Sequence, residues 1–162
     1  MQRHRVFAIL AAIAIVVLMP LAGQQATAQM EVETPYWASI RADKAYARAG
    51  PLTTYPIEWV YRRVDLPVKV VKRYSVWRQI QDPEGWIGWM HSDNLSRKRT
   101  AIVIGGEHAI RAAPQESAKL LWRAAPGVVG TLGDCEKGWC EFAVQKRAGW
   151  MRQDHLWGPG AP

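Results

Sequence analysis

The stretch Gly88-Trp89-Met90-His91-Ser92-Asp93-Asn94-Leu95 returns further along the chain as Gly149-Trp150-Met151-Arg152-Gln153-Asp154-His155-Leu156. In both copies a glycine precedes a tryptophan, an apolar residue follows, and a short polar turn with an aspartate leads to a leucine. Glycine permits a sharp bend of a strand and leaves room for a large ring from the neighbouring strand. The motif therefore predicts a structural bend that closes a small barrel, and its recurrence indicates one unit written twice.

A second pair of segments repeats at nearly the same distance. Ala47-Arg48-Ala49-Gly50-Pro51 is echoed in the second half of the chain by Ile110-Arg111-Ala112-Ala113-Pro114. The offset between these two openings is almost equal to the offset between the two glycine-tryptophan motifs. The repeat therefore spans a whole domain with small insertions.

Between these repeated segments the residue pattern predicts short β-strands. Residues 76–80 combine the apolar Val76, Trp77 and Ile80 with polar side chains at 78 and 79, a mixture that predicts a half-buried strand, and residues 68–73 are rich in β-branched residues. The sequence Asp82-Pro83-Glu84-Gly85 predicts a turn into residues 86–90. On the same grounds we predict strands at residues 37–40, 44–48, 128–135, 139–144 and 149–151. Residues 115–122 are assigned to a long loop.

Residues 1–28 have the pattern of an export signal. Arg3 and Arg5 form a positive start, an uncharged apolar run follows, and Ala26-Thr27-Ala28 offers the small side chains that a signal peptidase reads. The alternative is an uncleaved anchor, since the run approaches the roughly 20 apolar residues that usually span a bilayer. We expect cleavage after Ala28, a periplasmic or secreted protein without stable membrane insertion, and a flexible tail at residues 29–35.

The net charge of the chain limits the kinds of partner that it is expected to bind. The formal net charge is +7, and removal of Arg3 and Arg5 leaves about +5 (7 − 2). A basic exported protein meets cell-wall polymer, lipid head groups or an acidic partner, so no nucleic-acid partner is expected. The basic residues are scattered among acids, with Arg97-Lys98-Arg99 as their one run, which is also what an ordinary solvated surface shows.

The two cysteines, Cys135 and Cys140, are separated by a short segment that includes a glycine. Such a spacing can form a hairpin loop, which places the sulfurs opposite each other across a strand pair. Outside the cytoplasm a pair of this kind tends to oxidise, so we predict a disulfide. No metal is expected, because His155 alone does not make a site, and no catalytic residue or cofactor motif stands out.

Taken together, these residues resemble the bacterial Src-homology-3-like (SH3-like, SH3b) domains, in the exported tandem form of proteobacteria. The likeness covers nearly all of residues 37–158. It is carried by Ala47-Arg48-Ala49-Gly50-Pro51, Tyr55-Pro56-Ile57-Glu58-Trp59-Val60, Leu66-Pro67-Val68, Trp77-Arg78-Gln79-Ile80, Gly88-Trp89-Met90-His91, Arg111-Ala112-Ala113-Pro114, Pro126-Gly127-Val128-Val129 and Gly149-Trp150-Met151. The resemblance implies a binding role, with cell-wall peptidoglycan or its peptide stems as the ligand usually proposed for the class.

The predicted fold class is therefore all-β, with two tandem small SH3-like β-barrels after an N-terminal signal peptide. The first barrel is assigned to residues 36–97, the second to residues 98–158, and a C-terminal tail to residues 159–162. Because each barrel is marginal in size, we expect the two to pack against each other.

The tryptophans separate into two sets by their repetition. Four occur at equivalent places in both units and are assigned to the core: Trp77, Trp89, Trp139 and Trp150. Four aromatic residues are read as unique to the first unit and become the candidate ligand-binding face: Tyr55, Trp59, Tyr61 and Trp86. The alternative is that these rings cover the second barrel. The second unit is interpreted as lacking a counterpart of Tyr55-Pro56-Ile57-Glu58-Trp59, which would make it a structural companion.

Arg48 and Arg111 lie at the same place in the two units, just before a proline turn. Arginine can hold a carboxylate through two parallel hydrogen bonds, which would suit an anionic peptide stem. It can equally pin the turn by bonding backbone carbonyls, and this interpretation is preferred. Arg48 is nevertheless retained among the candidate ligand-binding residues.

The function expected from the sequence is that of a non-catalytic, exported protein that binds peptidoglycan or its peptide stems in the cell envelope. The alternative is an adaptor for another envelope protein, with the unrepeated aromatic residues as the contact face. An enzyme is not expected, since the sequence nominates no nucleophile.

Overall fold

The structure is a computed structural model, and it describes residues 33–162. The predicted export signal and the first part of the predicted tail lie outside the described residues. Within 33–162 the regular elements are fourteen β-strands and two single turns of 3-10 helix. The strands of the first half are β1 (Tyr36–Ile40), β2 (Ala45–Arg48), β3 (Ile57–Tyr61), β4 (Pro67–Tyr74), β5 (Trp77–Gln81), β6 (Ile87–His91) and β7 (Leu95–Ser96).

The strands of the second half are β8 (Thr100–Val103), β9 (His108–Arg111), β10 (Leu120–Ala124), β11 (Val129–Glu136), β12 (Trp139–Val144), β13 (Arg147–Arg152) and β14 (Leu156–Trp157). The helical turns η1 (Ser92–Asn94) and η2 (Gln153–His155) each follow the repeated glycine-tryptophan strand. The polar residues after each glycine-tryptophan strand therefore form the helical turn that leads into the last strand of the barrel.

The two sheets have one topology. The first runs in the order β3-β2-β6-β5-β4-β1-β7 and the second in the order β10-β9-β13-β12-β11-β8-β14, so every strand of the first sheet has a counterpart in the second. All described pairings are antiparallel, as hairpins require. This confirms the all-β prediction and the whole-domain repeat.

Each barrel has its own core, formed by side chains that alternate inward along the strands. The first is centred on Ile40, Val68, Val70, Ile80 and Met90, all fully buried. The second is centred on Ile110, Cys140, Phe142 and Met151, also fully buried. In each glycine-tryptophan motif the methionine is fully buried in the core, and the closing leucine packs against the same core.

The repeated tryptophans consequently divide into two kinds. Trp77 and Trp139 are buried, as predicted, whereas Trp89 and Trp150 are only half-buried. The side chains of a strand point alternately to its two faces, so Met90 and Met151 point inward and the preceding tryptophans point outward. The assignment of Trp89 and Trp150 to the core is wrong, although their strands close the two barrels as expected.

The barrels pack together through their own set of residues. Ile102 of β8 belongs to the buried core of the first barrel, and the half-buried Val129 and Trp157 pack against that core. The rings of Trp37 and Trp157 meet edge to face at 4.7 Å, and the Trp37 indole donates a hydrogen bond of 3.0 Å to the Gly160 carbonyl. Burying one tryptophan removes roughly 150–250 Å² from water, on the order of 4–6 kcal/mol at ~25 cal/mol/Å². The predicted C-terminal tail thus contributes to the contact between barrels.

One strand differs from the prediction made from the sequence. Residues 120–122, assigned to a loop, belong to β10, which pairs with β9. The register of that pair shifts between Leu120 and Trp122, and a bulge of this kind breaks the two-residue alternation that identifies a strand. Because β10 takes the place of β3, the second unit does have a counterpart of residues 57–61, and the prediction that it lacks one is wrong.

The hairpin β11–β12 carries the predicted disulfide. Cys135 and Cys140 are register partners with their Cα atoms 4.0 Å apart, and their sulfurs are bonded. The two turn residues, Lys137 and Gly138, have φ values of 49° and 82°, a pair of left-handed conformations typical of a tight hairpin. The disulfide prediction is confirmed.

Candidate ligand-binding face of the first barrel

The candidate face is built on β3, which lies at one end of the strand order of the first sheet. Such an edge strand leaves backbone donors and acceptors on its outer side for another molecule. Trp59, with 54% of its surface exposed, and Ile57, with 45%, are presented there together with Val60. Large apolar side chains on a sheet edge are a feature that natural proteins normally suppress unless a partner covers them.

Three aromatic rings continue from this strand into the barrel. The ring centres of Trp59 and Tyr61 lie 6.4 Å apart, and those of Tyr61 and Trp86 also lie 6.4 Å apart. These distances fall within the range at which aromatic rings attract each other. Exposure falls from Trp59 through the half-buried Trp86 to Tyr61, which retains 5%. Tyr61, which contacts both of the other rings, is thus the buried member of the row, and Trp59 is its accessible end.

Tyr61 is anchored by a buried carboxylate. Its hydroxyl donates a hydrogen bond of 2.9 Å to Asp82, whose side chain is also buried. Burial and then the nearby Asp82 carboxylate raise the pKa of Tyr61 well above its usual range, so the hydroxyl stays protonated and remains a donor. The other carboxylate oxygen accepts hydrogen bonds from the backbone N–H groups of Glu84 and Trp86, at 3.1 and 2.8 Å. Asp82 therefore ties the turn that carries Trp86 to β3.

Glycines make room for two of the rings. A Cβ atom built at Gly88 would lie 2.0 Å from the indole of Trp86, and one at Gly50 would lie 2.6 Å from the ring of Tyr55. The repeated motif predicted a ring over its glycine, and Gly88 has one. The ring comes from two residues earlier in the chain, not from a neighbouring strand. Over Gly149 lie Ile110 and Leu121 instead.

Arg48 stabilises its turn through backbone carbonyls, which is the role that the sequence analysis preferred. Its guanidinium donates hydrogen bonds of 3.0 and 2.7 Å to the backbone carbonyls of Thr53 and Tyr55. In the second barrel Arg111 donates to the carbonyl of Ala118 in the same way. Arg48 thus holds the loop that carries Tyr55, and a direct contact between Arg48 and a ligand stays a prediction.

The structure brings Trp59, Tyr61 and Trp86 together, and Tyr55 lies in the loop that leads into β3. Tyr55 and Trp59 are exposed with both barrels present, while the contact between barrels is made by Trp37, Trp157 and their neighbours. The alternative that the predicted rings cover the second barrel is therefore wrong for Tyr55 and Trp59. Tyr61 is buried, so any effect it has on a ligand acts through the placement of its neighbours.

The aromatic set is less specific to the first barrel than predicted. Trp122 on β10 is the topological counterpart of Trp59 on β3. It is half-buried, and the Arg147 guanidinium lies 5.5 Å from its ring centre. Tyr61 and Trp86 have Ala124 and Arg147 at the corresponding places. The two barrels therefore share a tryptophan on the edge strand but differ at the places of Tyr61 and Trp86.

Two groupings were not predicted from the sequence. The rings of His108 and His155, which are far apart in the chain, stack with their centres 3.6 Å apart. Three arginines also converge on a cleft at one end of the first barrel, where Arg97 belongs to the basic run noted in the sequence. Proximity in sequence signals neither grouping, because each depends on which strand ends the barrel brings together.

Several negative findings apply to the residues that the structure describes. In residues 33–162 no group of three or more histidine, cysteine, aspartate or glutamate side chains is placed to hold a metal ion. No helix in that range is long and apolar enough to cross a membrane. Both cysteines are used by the disulfide.

The Bacterial SH3 domain family model matches the chain twice, at residues 41–97 and 105–158. The chain belongs to this family, which confirms the resemblance read from the repeated motifs. Among curated proteins, no relative matches the chain.

The solved structures that the chain matches include two NlpC proteins and an NlpC/P60 family protein. NlpC1 from Trichomonas vaginalis is 13% identical with a TM-score of 0.35, covering 76% of this chain and 46% of its own. NlpC2 from the same organism is 14% identical with a TM-score of 0.35, covering 78% and 49%. An NlpC/P60 family protein from Bacillus cereus is 14% identical with a TM-score of 0.34, covering 75% and 55%. This chain matches about half the length of each.

Proposed function

We propose that the protein is a non-catalytic binding protein of the cell envelope that recognises peptidoglycan or its peptide stems through the face formed by Tyr55, Trp59 and Trp86. Bacterial SH3 domains often bind the cell wall, and both halves of this chain are such domains. The observation that carries the proposal is the exposed ring of Trp59 on an edge strand, continuous with anchored rings behind it. Sugars and peptides both stack on exposed rings of this kind.

An edge strand adds a second mode of contact for a peptide stem. An extended peptide can pair with the free side of β3 while its side chains meet the exposed rings. The rings give the ligand a flat apolar platform, and the strand supplies directional hydrogen bonds. Recognition by this face breaks no covalent bond in the ligand. The proposed role is therefore binding without catalysis.

The decisive experiment is co-sedimentation with purified sacculi. We expect the wild-type protein to sediment with them and Trp59→Ala to lose most of that binding. Tyr74→Ala is the matched control, since Tyr74 is an equally exposed ring (57%) on the β4–β5 hairpin. Equal sedimentation of wild type and Trp59→Ala, or no sedimentation of wild type, would remove the proposed site. Release of soluble wall fragments by the purified protein would overturn the non-catalytic assignment.

The proposed location is the periplasm or the outside of the cell. The disulfide supports this, because cysteine pairs are stable mainly outside the cytoplasm. The sequence of residues 1–28 points the same way. Mass spectrometry of the protein from an envelope fraction should find Gln29 as the new N-terminus. An intact N-terminus on all of the mature protein would contradict export by cleavage.

An adaptor role is the second candidate, and the unpaired side of β3 favours it. Another envelope protein could extend the first sheet with a strand of its own, burying Ile57 and Trp59. A photo-crosslinking residue at the exposed Glu58 would distinguish the two ligands. Crosslinks to wall fragments support peptidoglycan binding, whereas a single repeatedly captured envelope protein supports the adaptor.

A further inference from the structure

The outer face of the second barrel contains a cavity of about 450 Å³. This volume lies in the range of sites that hold small ligands. Phe142 and Met151 point into the core of the barrel, so their neighbours along β12 and β13 point outward around the cavity. Most of the lining is apolar, and Glu141 is the one charged residue among the described side chains around it. The cavity therefore combines an apolar interior with a single negative charge.

Two cross-strand pairs form the centre of this cavity. Glu141 faces Trp150 across β12 and β13, and Ala143 faces Ala148 at the next outward position. Facing side chains in an antiparallel pair have their Cβ atoms about 4.5–5.5 Å apart. The carboxylate of Glu141 therefore lies beside the indole, and the two alanines leave open space next to both.

The first barrel has larger side chains at the same places. There Gln79 faces Trp89, and Gln81 faces Ile87, in the same register between β5 and β6. The second barrel thus keeps the tryptophan, has a carboxylate where the first has a neutral amide, and has two alanines in place of two longer side chains. These differences create space and add a negative charge at one point of the surface.

The side chain of Glu141 leans over a glycine. A Cβ atom built at Gly133 would lie 2.7 Å from the Oε2 atom of Glu141. Among residues 33–162 no cation forms an ion pair with this carboxylate, whereas Arg111 and Arg152 of the same barrel are both ion-paired with Glu116. The negative charge at the cavity is therefore available to a cation from another molecule.

We propose that this cavity binds the alkylammonium side chain of a diamino acid such as lysine, carried by a short peptide. An ammonium group is attracted both by a carboxylate and by the face of an indole, and Glu141 and Trp150 supply these side by side. The alkyl stem of such a side chain is apolar and fits beside Ala143, Ala148 and Leu121. One positive charge on the ligand matches the one negative charge of the lining.

Other classes of ligand match this lining less well. A sugar carries several hydroxyl groups, and hydroxyls that face alanine side chains would lose their hydrogen bonds to water without replacement. An anion would be repelled by Glu141. A neutral aliphatic side chain would gain nothing from the carboxylate. The single charge beside an apolar space therefore favours the alkylammonium group.

This site is separate from the face proposed to bind peptidoglycan. The cavity is formed mainly by β10 to β13 of the second barrel, whereas that face is built on β3 of the first. The inference does not depend on the proposed function. Trp59→Ala should leave the binding of a lysine derivative unchanged, and loss of sacculus binding would say nothing about the cavity.

The test compares two probes that differ in the ammonium group. The ¹⁵N-labelled full chain is titrated with Nα-acetyl-lysine N-methylamide, and the indole N–H signal of Trp150 reports binding. Nα-acetyl-norleucine N-methylamide keeps an aliphatic stem and lacks the ammonium. We expect it to bind about threefold more weakly or worse, since an exposed ion pair contributes modestly.

Three variants separate charge from space. Glu141→Gln introduces the amide that the first barrel has, and it should remove the difference between the two probes. Ala148→Ile introduces the larger side chain of the first barrel and should weaken the binding of both probes; because Ala148 is exposed, the fold should tolerate it. Glu136→Gln is the matched control, since Glu136 is an exposed glutamate on β11 outside the cavity, and it should bind as wild type does. Thermal melts establish that each variant keeps the fold.

Four results would overturn the proposal. The first two are the lack of a saturable Trp150 shift in wild type and equal binding of the lysine derivative by Glu141→Gln and wild type. The third is equal affinity of wild type for the two probes, which indicates an apolar pocket without selection for charge. The fourth is tighter binding of N-acetylglucosamine than of the lysine derivative, which indicates a sugar site.

Discussion

Replacing Tyr61 with phenylalanine removes one hydroxyl from the buried middle ring of the aromatic row and leaves that ring in place. In the native barrel this hydroxyl donates to Asp82 over 2.9 Å, and both side chains retain only 5% exposure. Water therefore has little access to replace the lost donor. Asp82 keeps its two backbone donors on the other oxygen, so the turn loses part of its support and not all of it.

The magnitude follows from the kind of bond that is lost. A hydrogen bond to a charged group contributes about 1.5–3 kcal/mol, and the remaining donors of Asp82 favour the lower half of that range. We take about 2 kcal/mol. Unfolding entropy near ~2.1 cal/mol/K per residue gives about 0.27 kcal/mol/K for the ~130 described residues, so Tm should fall by about 7 °C.

The assay is thermal unfolding followed by circular dichroism, with Tyr74→Phe as the control. Tyr74 is exposed, and its replacement should leave Tm within about 1 °C of wild type. A second readout is the fluorescence of Trp86, whose backbone N–H is held by the same carboxylate. If Tyr61→Phe melts with wild type, Asp82 does not link β3 to the turn, and the anchoring of the aromatic row is refuted.

Three further predictions concern the rest of the molecule. Reduction of the Cys135–Cys140 disulfide should lower stability by up to about 2 kcal/mol, since the loop it closes is short; a melt with reductant tests this, and an unchanged Tm contradicts it. Burial and then the charge of His108 hold the pKa of His155 below its ordinary value, so the unfolded chain takes up this proton first as pH falls. Stability should thus be complete above about pH 6.5 and decline below it, and His155→Gln should flatten that decline in melts from pH 8 to 5; an equal slope in the variant would exclude this histidine as its source. Trp37→Ala should cost about 3–5 kcal/mol by emptying the contact between barrels, and a chemical denaturation midpoint equal to that of wild type would contradict it.

The sequence predicted the parts of the fold that depend on local composition and on repetition. Residues 76–80 and 139–144 are short runs with aromatic and β-branched side chains, and strands lie there. Residues 120–122 carry three apolar side chains across a bulge, so the alternation fails and the strand was missed. The offset between the two arginine-proline segments that begin the repeats also relates Trp59 to Trp122. Because β10 was not predicted, this equivalence was not recognised from the sequence.

The sequence named the residues of the candidate site but predicted their spatial arrangement only in part. The aromatic residues judged unique to the first unit were predicted to form an exposed binding face, and Trp59 is exposed. That Tyr61 is buried against Asp82 follows from a contact between β3 and the β5–β6 turn, which no local pattern encodes. The same holds for the arginine cleft, since Arg78 and Arg97 meet only when β7 closes the barrel beside β1.

The central claim is that ligand recognition resides on the edge of the first barrel. The most direct measurement is the indole N–H spectrum of the ¹⁵N-labelled protein during titration with soluble peptidoglycan fragments. We predict that the signal of Trp59 shifts most, that of Trp86 follows, and those of Trp122 and Trp139 in the second barrel stay in place. Shifts confined to Trp122 and Trp139, with Trp59 unmoved at saturation, would contradict this claim.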